Sequence, residues 1–210
     1  MAISEQQFRD AAGIVGCQVS SIKAVYKVET NGSGYLADGR LKILFEGHVF
    51  WKQLEDAGYQ PVKIIAQYPA AADILYPKWT KKYYIGGKEE WVRHSRAIDL
   101  CKKIGADTML ALNSASYGSF QVMGFNSVKS GYSDAQAMIT AFNSGGEYEH
   151  LVAFCRYVKS VKLDDELRAK DWARFAYHYN GPGYKGSPLY DWDDYDIKLA
   201  KADAEFAMAA

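Results

Sequence analysis

Apolar positions recur at helical spacing through most of the chain, broken by short polar and Gly-rich stretches. Ser4-Glu-Gln-Gln7 has the form of a capping box, in which the Ser and Gln side chains satisfy backbone N–H groups that a first helical turn leaves unpaired. It predicts a helix with Phe8, Ala11, Ala12 and Val15 on one face and Gly16 at its end. A second helix is expected from Ser20 or Ser21 to Glu29 or Thr30, where Asn31-Gly-Ser-Gly34 breaks it. Asp38-Gly39 is a hairpin-turn signal between strand-like Tyr35-Leu36 and Leu41-Lys-Ile-Leu-Phe45. Glu46 follows at once, at the junction of that strand with a helix carrying Phe50, Leu54 and Ala57.

Between Gly58 and Gly87 the pattern weakens. Pro61, Pro69 and Pro77 punctuate an aromatic stretch with Tyr68, Tyr76, Trp79, Tyr83 and Tyr84, and packed irregular structure is favoured over a groove-lining insertion. Periodicity returns from Glu89 to Ile104, with Trp91, His94, Ile98 and Cys101 inward, and Asp107 is expected to cap a short helix through Leu112. Small residues dominate Asn113 to Asn126 and permit close approach of another backbone or a ligand. Ser133-Asp-Ala-Gln136 reads as a second capping box, opening a helix with Ala137, Ile139 and Phe142. Further helices are expected over Glu147 to Val158, Asp165 to Tyr179 and Asp194 to Met208, with a strong turn at Asn180-Gly-Pro-Gly183. No internal repeat or low-complexity linker divides the chain. The expected architecture is a single α+β domain over 1–210, mostly helical, with its sheet confined to one end.

Composition narrows the function classes. The 210 residues are 49% hydrophobic, enough for a sizeable core. Lys+Arg and Asp+Glu are both 25, so a formally neutral chain gives no electrostatic case for nucleic-acid binding. Tyr is common at 16, and aromatic faces suit sugar rings and cores alike. Cys17, Cys101 and Cys155 are odd in number and widely spaced, which reads as free thiols in a reducing compartment. No secretory h-region and no run of membrane-spanning length is seen. The 4 histidines show no metal-ligand spacing, and no phosphate-binding Gly loop or nucleophile elbow occurs, so neither a metal nor another cofactor is expected. Asp191-Trp-Asp-Asp-Tyr-Asp196 is acidic but reads as the start of the last helix.

What remains is a set of carboxylates. Ile22, Val25, Tyr26 and Glu29 fall at i, i+3, i+4 and i+7 of the second helix and share a face. A Glu on such a face is desolvated, and desolvation raises its pKa toward the range a general acid needs. A salt-bridged Glu at a helix end fits the same spacing. Glu46 lies on the far side of the small hairpin that starts after Glu29, and Asp38 lies at its tip. Paired carboxylates are the equipment of glycoside hydrolysis.

Several segments in order resemble the N-acetylmuramidase domain of phage endolysins, a branch of the lysozyme-like superfamily. They are Ala24-Val-Tyr-Lys-Val-Glu29-Thr-Asn-Gly-Ser-Gly34, Ile43-Leu-Phe-Glu-Gly-His-Val-Phe50 and Ser114-Ala-Ser-Tyr-Gly-Ser-Phe-Gln-Val-Met-Gly-Phe-Asn126, with a tail from Asp171 to Tyr184 and Tyr195-Asp-Ile-Lys-Leu199. The resemblance implies a lysozyme-like fold with a small β-hairpin region beside the active site. It implies cleavage of the β-1,4 bond between N-acetylmuramic acid and N-acetylglucosamine in bacterial peptidoglycan. Glu29 would be the general acid and Glu46 the second carboxylate. Ser116, Tyr117 and Gln121 would line the sugar site, and Tyr179 and Asn180 would close it. Tyr117 stands where many relatives have Trp. No separate wall-binding module is expected. A monomer is implied, held without stable membrane insertion in the host cytoplasm until a holin releases it to the wall. A lytic transglycosylase, which forms 1,6-anhydro products, is the nearest alternative. A non-catalytic peptidoglycan-binding module and a chitinase are others.

Overall fold

A computed structural model of the chain describes residues 2–30, 32–181, 184–185 and 195–209. These divide into two compact units, one formed by 1–33, 129–131 and 145–210, the other by 34–128 and 132–144.

The first unit opens with α1 (Glu5–Val15), and the Ser4–Gln7 capping box is present as the sequence predicts. Gly16 closes α1 in the left-handed conformation, at φ 80°, which glycine adopts without steric penalty. Helix α2 (Val19–Glu29) buries Ser20, Ser21, Ile22, Ala24 and Val25, and leaves Tyr26 and Glu29 half-buried at the edge of that face. Thr30 stops it by turning its own N–H and hydroxyl back onto the Tyr26 carbonyl. Helix α10 (Tyr195–Met208) packs along α2 and against α9 (Trp172–Asn180), and α8 (Asp164–Ala169) joins α9. The core of this unit is built on Val15, Ile22, Val25, Leu151, Phe154, Leu167, Phe175 and Leu199.

The second unit carries the sheet. Its order is β1-β2-β3, all antiparallel, from Ile43–Phe45, Ala115–Tyr117 and Val122–Met123. The register sets Leu44 opposite Ser116 and Tyr117 opposite Val122. Around it lie α3 (Gly47–Asp56), α4 (Pro61–Gln67), α5 (Lys88–Ile104) and α6 (Met109–Asn113). Phe45, Phe50, Leu54, Ile74, Leu75, Leu100, Tyr117 and Phe142 fill its core.

Four local expectations change. The hairpin around Asp38-Gly39 is a single bridge between Tyr35 and Leu41, and β1 finds its strand partner in the small-residue segment after Asn113 instead. Burial on α5 falls on Glu90, Arg93, His94, Ala97, Leu100 and Cys101, leaving Trp91 and Ile98 half-buried, because an internal ion pair occupies the inward face. Asp134, not Ser133, caps α7 (Ala135–Ser160), its carboxylate accepting from the Ala137 N–H at 2.8 Å. Gly146, at φ 67°, interrupts the α7 ladder at the break expected between two helices. The helix expected from Asp165 to Tyr179 is two, because Lys170 turns left-handed at φ 57° and Asp171 caps a new start on the Arg174 N–H. Residues 191–194 of the acidic stretch, and with them the expected start of the last helix at Asp194, lie outside the described residues, as does the Pro182-Gly183 half of the turn before it.

Candidate active site

Glu29 is the last residue of α2, and the Tyr195 hydroxyl in the first turn of α10 donates to its Oε1. Burial pushes the Glu29 carboxyl up to about 7 from an ordinary value of 4.5, and the Tyr195 hydrogen bond offsets part of that rise. Tyr179 closes α9, with its ring stacked on Phe175 at 5.3 Å and edge-on to Phe154 at 5.8 Å. Its phenol is held well above its ordinary range by burial and, next, by the negative charge of Glu29. Asn180 follows beside the Tyr195 hydroxyl, and its amide nitrogen is buried without a hydrogen-bond partner among the described residues. The first unit thus brings Glu29, Tyr179 and Asn180 together and adds Tyr195, which the sequence reading quoted without assigning a role.

Another carboxylate in this unit escaped the sequence reading. Glu147 is buried, accepts from the Ser33 hydroxyl at 3.0 Å and lies 3.7 Å from His150. Its charge also raises the Tyr26 phenol, behind burial as the main cause. Its position just after the Gly146 break carries no periodic signal of its own.

Glu46 occupies the N-cap position of α3, yet its side chain makes no capping bond. The Tyr84 hydroxyl donates to its Oε2 at 2.5 Å. His48 Nδ1 is 3.2 Å from the same oxygen but outside hydrogen-bond alignment. The Glu46 N–H donates to the Ser114 carbonyl at 2.9 Å, tying the residue to the start of β2. Gly47 is required here: a Cβ would lie 2.3 Å from the Tyr76 ring and 2.8 Å from the Ile74 carbonyl. Tyr76 takes the space, accepting from the Gly47 N–H at 3.3 Å and stacking on His48 at 6.4 Å.

Ser116 and Gln121 meet across the β2–β3 turn, the Ser116 hydroxyl donating to the Gln121 amide oxygen at 2.9 Å. The Gln121 amide nitrogen donates to the Gly118 carbonyl at 2.7 Å and to the Lys42 carbonyl at 3.4 Å. These bonds hold Gln121 at φ 47°, a region that side-chain-bearing residues rarely occupy. Tyr117 departs from its expected place in the lining of the sugar site. It is 0% exposed, its hydroxyl donates to the Leu112 carbonyl at 2.9 Å and its ring lies edge-on to His94, so it offers no free face to a sugar. Burial is continuous along β2, and the Tyr117 side chain lies in the core. Asp38 is exposed and bound to the Arg40 guanidinium at 2.6 Å, a hydrogen bond that holds its carboxyl below the usual range. Among the described residues no cluster of His, Cys, Asp and Glu that could hold a metal is found.

Among curated proteins none matches. The crystal structure of the Burkholderia AP3 phage endolysin superposes with a TM-score of 0.81 at 33% sequence identity, over 98% of this chain and 71% of that one. The likeness extends to the mostly helical, lysozyme-like architecture with its small antiparallel sheet. The muramidase family model, described as N-acetylmuramidase, matches residues 18–207, from just ahead of α2 into the end of α10, and the chain therefore belongs to the N-acetylmuramidase family.

Proposed function

We propose that this peptidoglycan hydrolase cleaves the β-1,4 bond between N-acetylmuramic acid and N-acetylglucosamine, with Glu29 as general acid. The observation that carries the reading is a carboxyl raised to about 7 by burial at the end of α2. Such a group is substantially protonated at neutral pH and can donate to a leaving glycosidic oxygen. Tyr195 engages Oε1, so the proton resides on Oε2. As the proton leaves, negative charge grows on the carboxylate, and the Tyr195 hydroxyl is already aimed at it. The Asn180 amide nitrogen, beside the Tyr195 hydroxyl, is a donor suited to a sugar acetamido or hydroxyl oxygen.

Glu46 is the second carboxylate in this reading, activating water or stabilising the oxocarbenium-like charge. It is favoured over Asp38 because Asp38 is exposed and spent on Arg40. Ser116 and Gln121 are proposed to line the sugar site, and the unusual backbone of Gln121 supports a positioned rather than an incidental loop. We take the whole chain as one catalytic domain working as a monomer. It would wait in the host cytoplasm until a holin opens the way to the wall. Among the described residues no helix is long and apolar enough to cross a membrane.

Digestion of purified Gram-negative peptidoglycan, followed by mass spectrometry of the released fragments, tests the reading. Hydrated reducing-end muropeptides from the parent and none from Glu29→Gln are expected. Anhydro products would reassign the chain as a lytic transglycosylase. Wall binding without release of fragments would leave it a binding module.

A further inference from the structure

The stretch between Gly58 and Gly87 has no part in the reaction so far, yet one of its residues touches Glu46. We propose that Tyr84 is a positioning residue for Glu46, and that the buried Glu90–Arg93 pair sets both ends of the Tyr84–Glu46 hydrogen bond. This rests on the reading of Glu46 as the second carboxylate.

The argument is one of connectivity. Glu90 is 0% exposed and Arg93 2%, and they pair at 2.8 Å along α5. Glu90 Oε2 accepts the Phe45 N–H at 3.1 Å, and Arg93 donates to the Phe45 carbonyl at 3.1 Å. Both backbone polar groups of the residue before Glu46 are therefore held by one ion pair. Glu90 Oε1 accepts the N–H of Ile85 at 2.9 Å and of Gly86 at 3.2 Å. These are the residues directly after Tyr84. A single buried carboxylate thus holds the chain on both sides of the contact, one residue from Glu46 and one from Tyr84. Arg93 reaches further, to the Asp73 carbonyl at 3.0 Å and the Tyr76 hydroxyl at 3.5 Å.

Burying such a pair is expensive, and apolar residues of similar volume would often pack there as well. Its hydrogen bonds point to placement of backbone rather than simple cohesion. The phenol is well suited to its part: burial, then the hydrogen bond to Glu46, push the Tyr84 hydroxyl above its ordinary range, so it stays a donor. With Oε2 engaged by Tyr84, the other oxygen of Glu46 is left to take a proton from water. The groups facing Glu46 are Tyr84 on this loop, His48 on α3 and Tyr76 behind it.

The test compares the parent chain with Tyr84→Phe and Glu46→Gln on solubilised peptidoglycan, each checked for parental circular dichroism and melting. Tyr84→Phe is expected to lower kcat roughly ten- to a hundredfold, the size implied by losing a hydrogen bond to a charged group, with KM nearly unchanged. A fall in kcat with KM kept is a split that a merely structural role for Tyr84 would not produce. Glu46→Gln should be nearly inactive. If Glu46→Gln is inactive while Tyr84→Phe keeps the parental kcat and KM, the positioning role is overturned and Glu46 keeps its own. If Glu46→Gln cuts at the parental rate, the reading of Glu46 fails and the positioning role falls with it.

Discussion

Glu29 titrates near pH 7 because burial disfavours its charge, and that has consequences for stability as well as rate. A carboxyl with a raised folded-state pKa binds its proton more tightly in the native state than in the unfolded chain. Its stabilising contribution is complete below the unfolded value near 4.5 and is lost as pH rises through about 7. At pH 8 the ionised Glu29 therefore costs the fold up to roughly 3 kcal/mol. Glu29→Gln is expected to melt higher than the parent at pH 8 and alongside it at pH 4, as calorimetry at the two pH values would show. Activity runs on the same equilibrium, so kcat/KM should decline as pH rises past about 7, through loss of the protonated acid. Asp38 gives the contrast. Its carboxylate is exposed and paired with Arg40, so Asp38→Asn should leave turnover of peptidoglycan at the parental level. A tenfold loss there would transfer the second-carboxylate role to the turn.

Single elements carry the next set of expectations. Helix α5 is a scaffold for the backbone around β1, and Arg93 is the larger member of its buried pair. Arg93→Met should leave Glu90 buried without its partner and cost about 3–5 kcal/mol in urea unfolding. A loss under 1 kcal/mol would mean that water reaches the site. Gly124, just after β3, allows the Leu112 carbonyl to approach to where a Cβ would be 2.2 Å away. The obstacle is backbone, so no side chain can swing aside. Gly124→Ala should destabilise by about 1–3 kcal/mol, visible as a lowered melting temperature. The sequence did indicate close backbone approach in this small-residue segment. It did not indicate that the segment pairs with β1, because Ala115 to Tyr117 is short and buried throughout and so lacks the alternation of a half-exposed strand.

For the whole molecule, family membership supplies the reaction class, and each unit is described by the proposed roles that fall within it. Glu29, the proposed acid, and the residues around it belong to a helical unit built on α2, α9 and α10. Glu46, the proposed second carboxylate, and the proposed sugar-lining residues belong to the unit that carries the sheet. Mutational effects within one unit should couple where hydrogen bonds are shared: the Tyr84→Phe and Glu90→Gln pair should fall short of additivity in kcat, because both act on the same contact. Strict additivity in a double-mutant cycle would separate them.

Local physics wrote the helices into the sequence. Periodicity at 3.6 residues, a capping box at Ser4 and glycine at the break points act over a few residues, and the structure follows them at α1, α2 and the last helix. The same local rule placed Glu29 on the edge of an apolar face, which is why its candidacy could be seen without a fold. The environment that raises the Glu29 carboxyl was decided elsewhere. Its hydrogen-bond partner Tyr195 is 166 residues away, and no periodicity links them. The inward turn of Tyr117, the pairing of β1 with β2 and the Glu90–Arg93 clamp on Phe45 are likewise long-range. Such contacts depend on which distant surfaces close upon one another, and only the packed chain determines that.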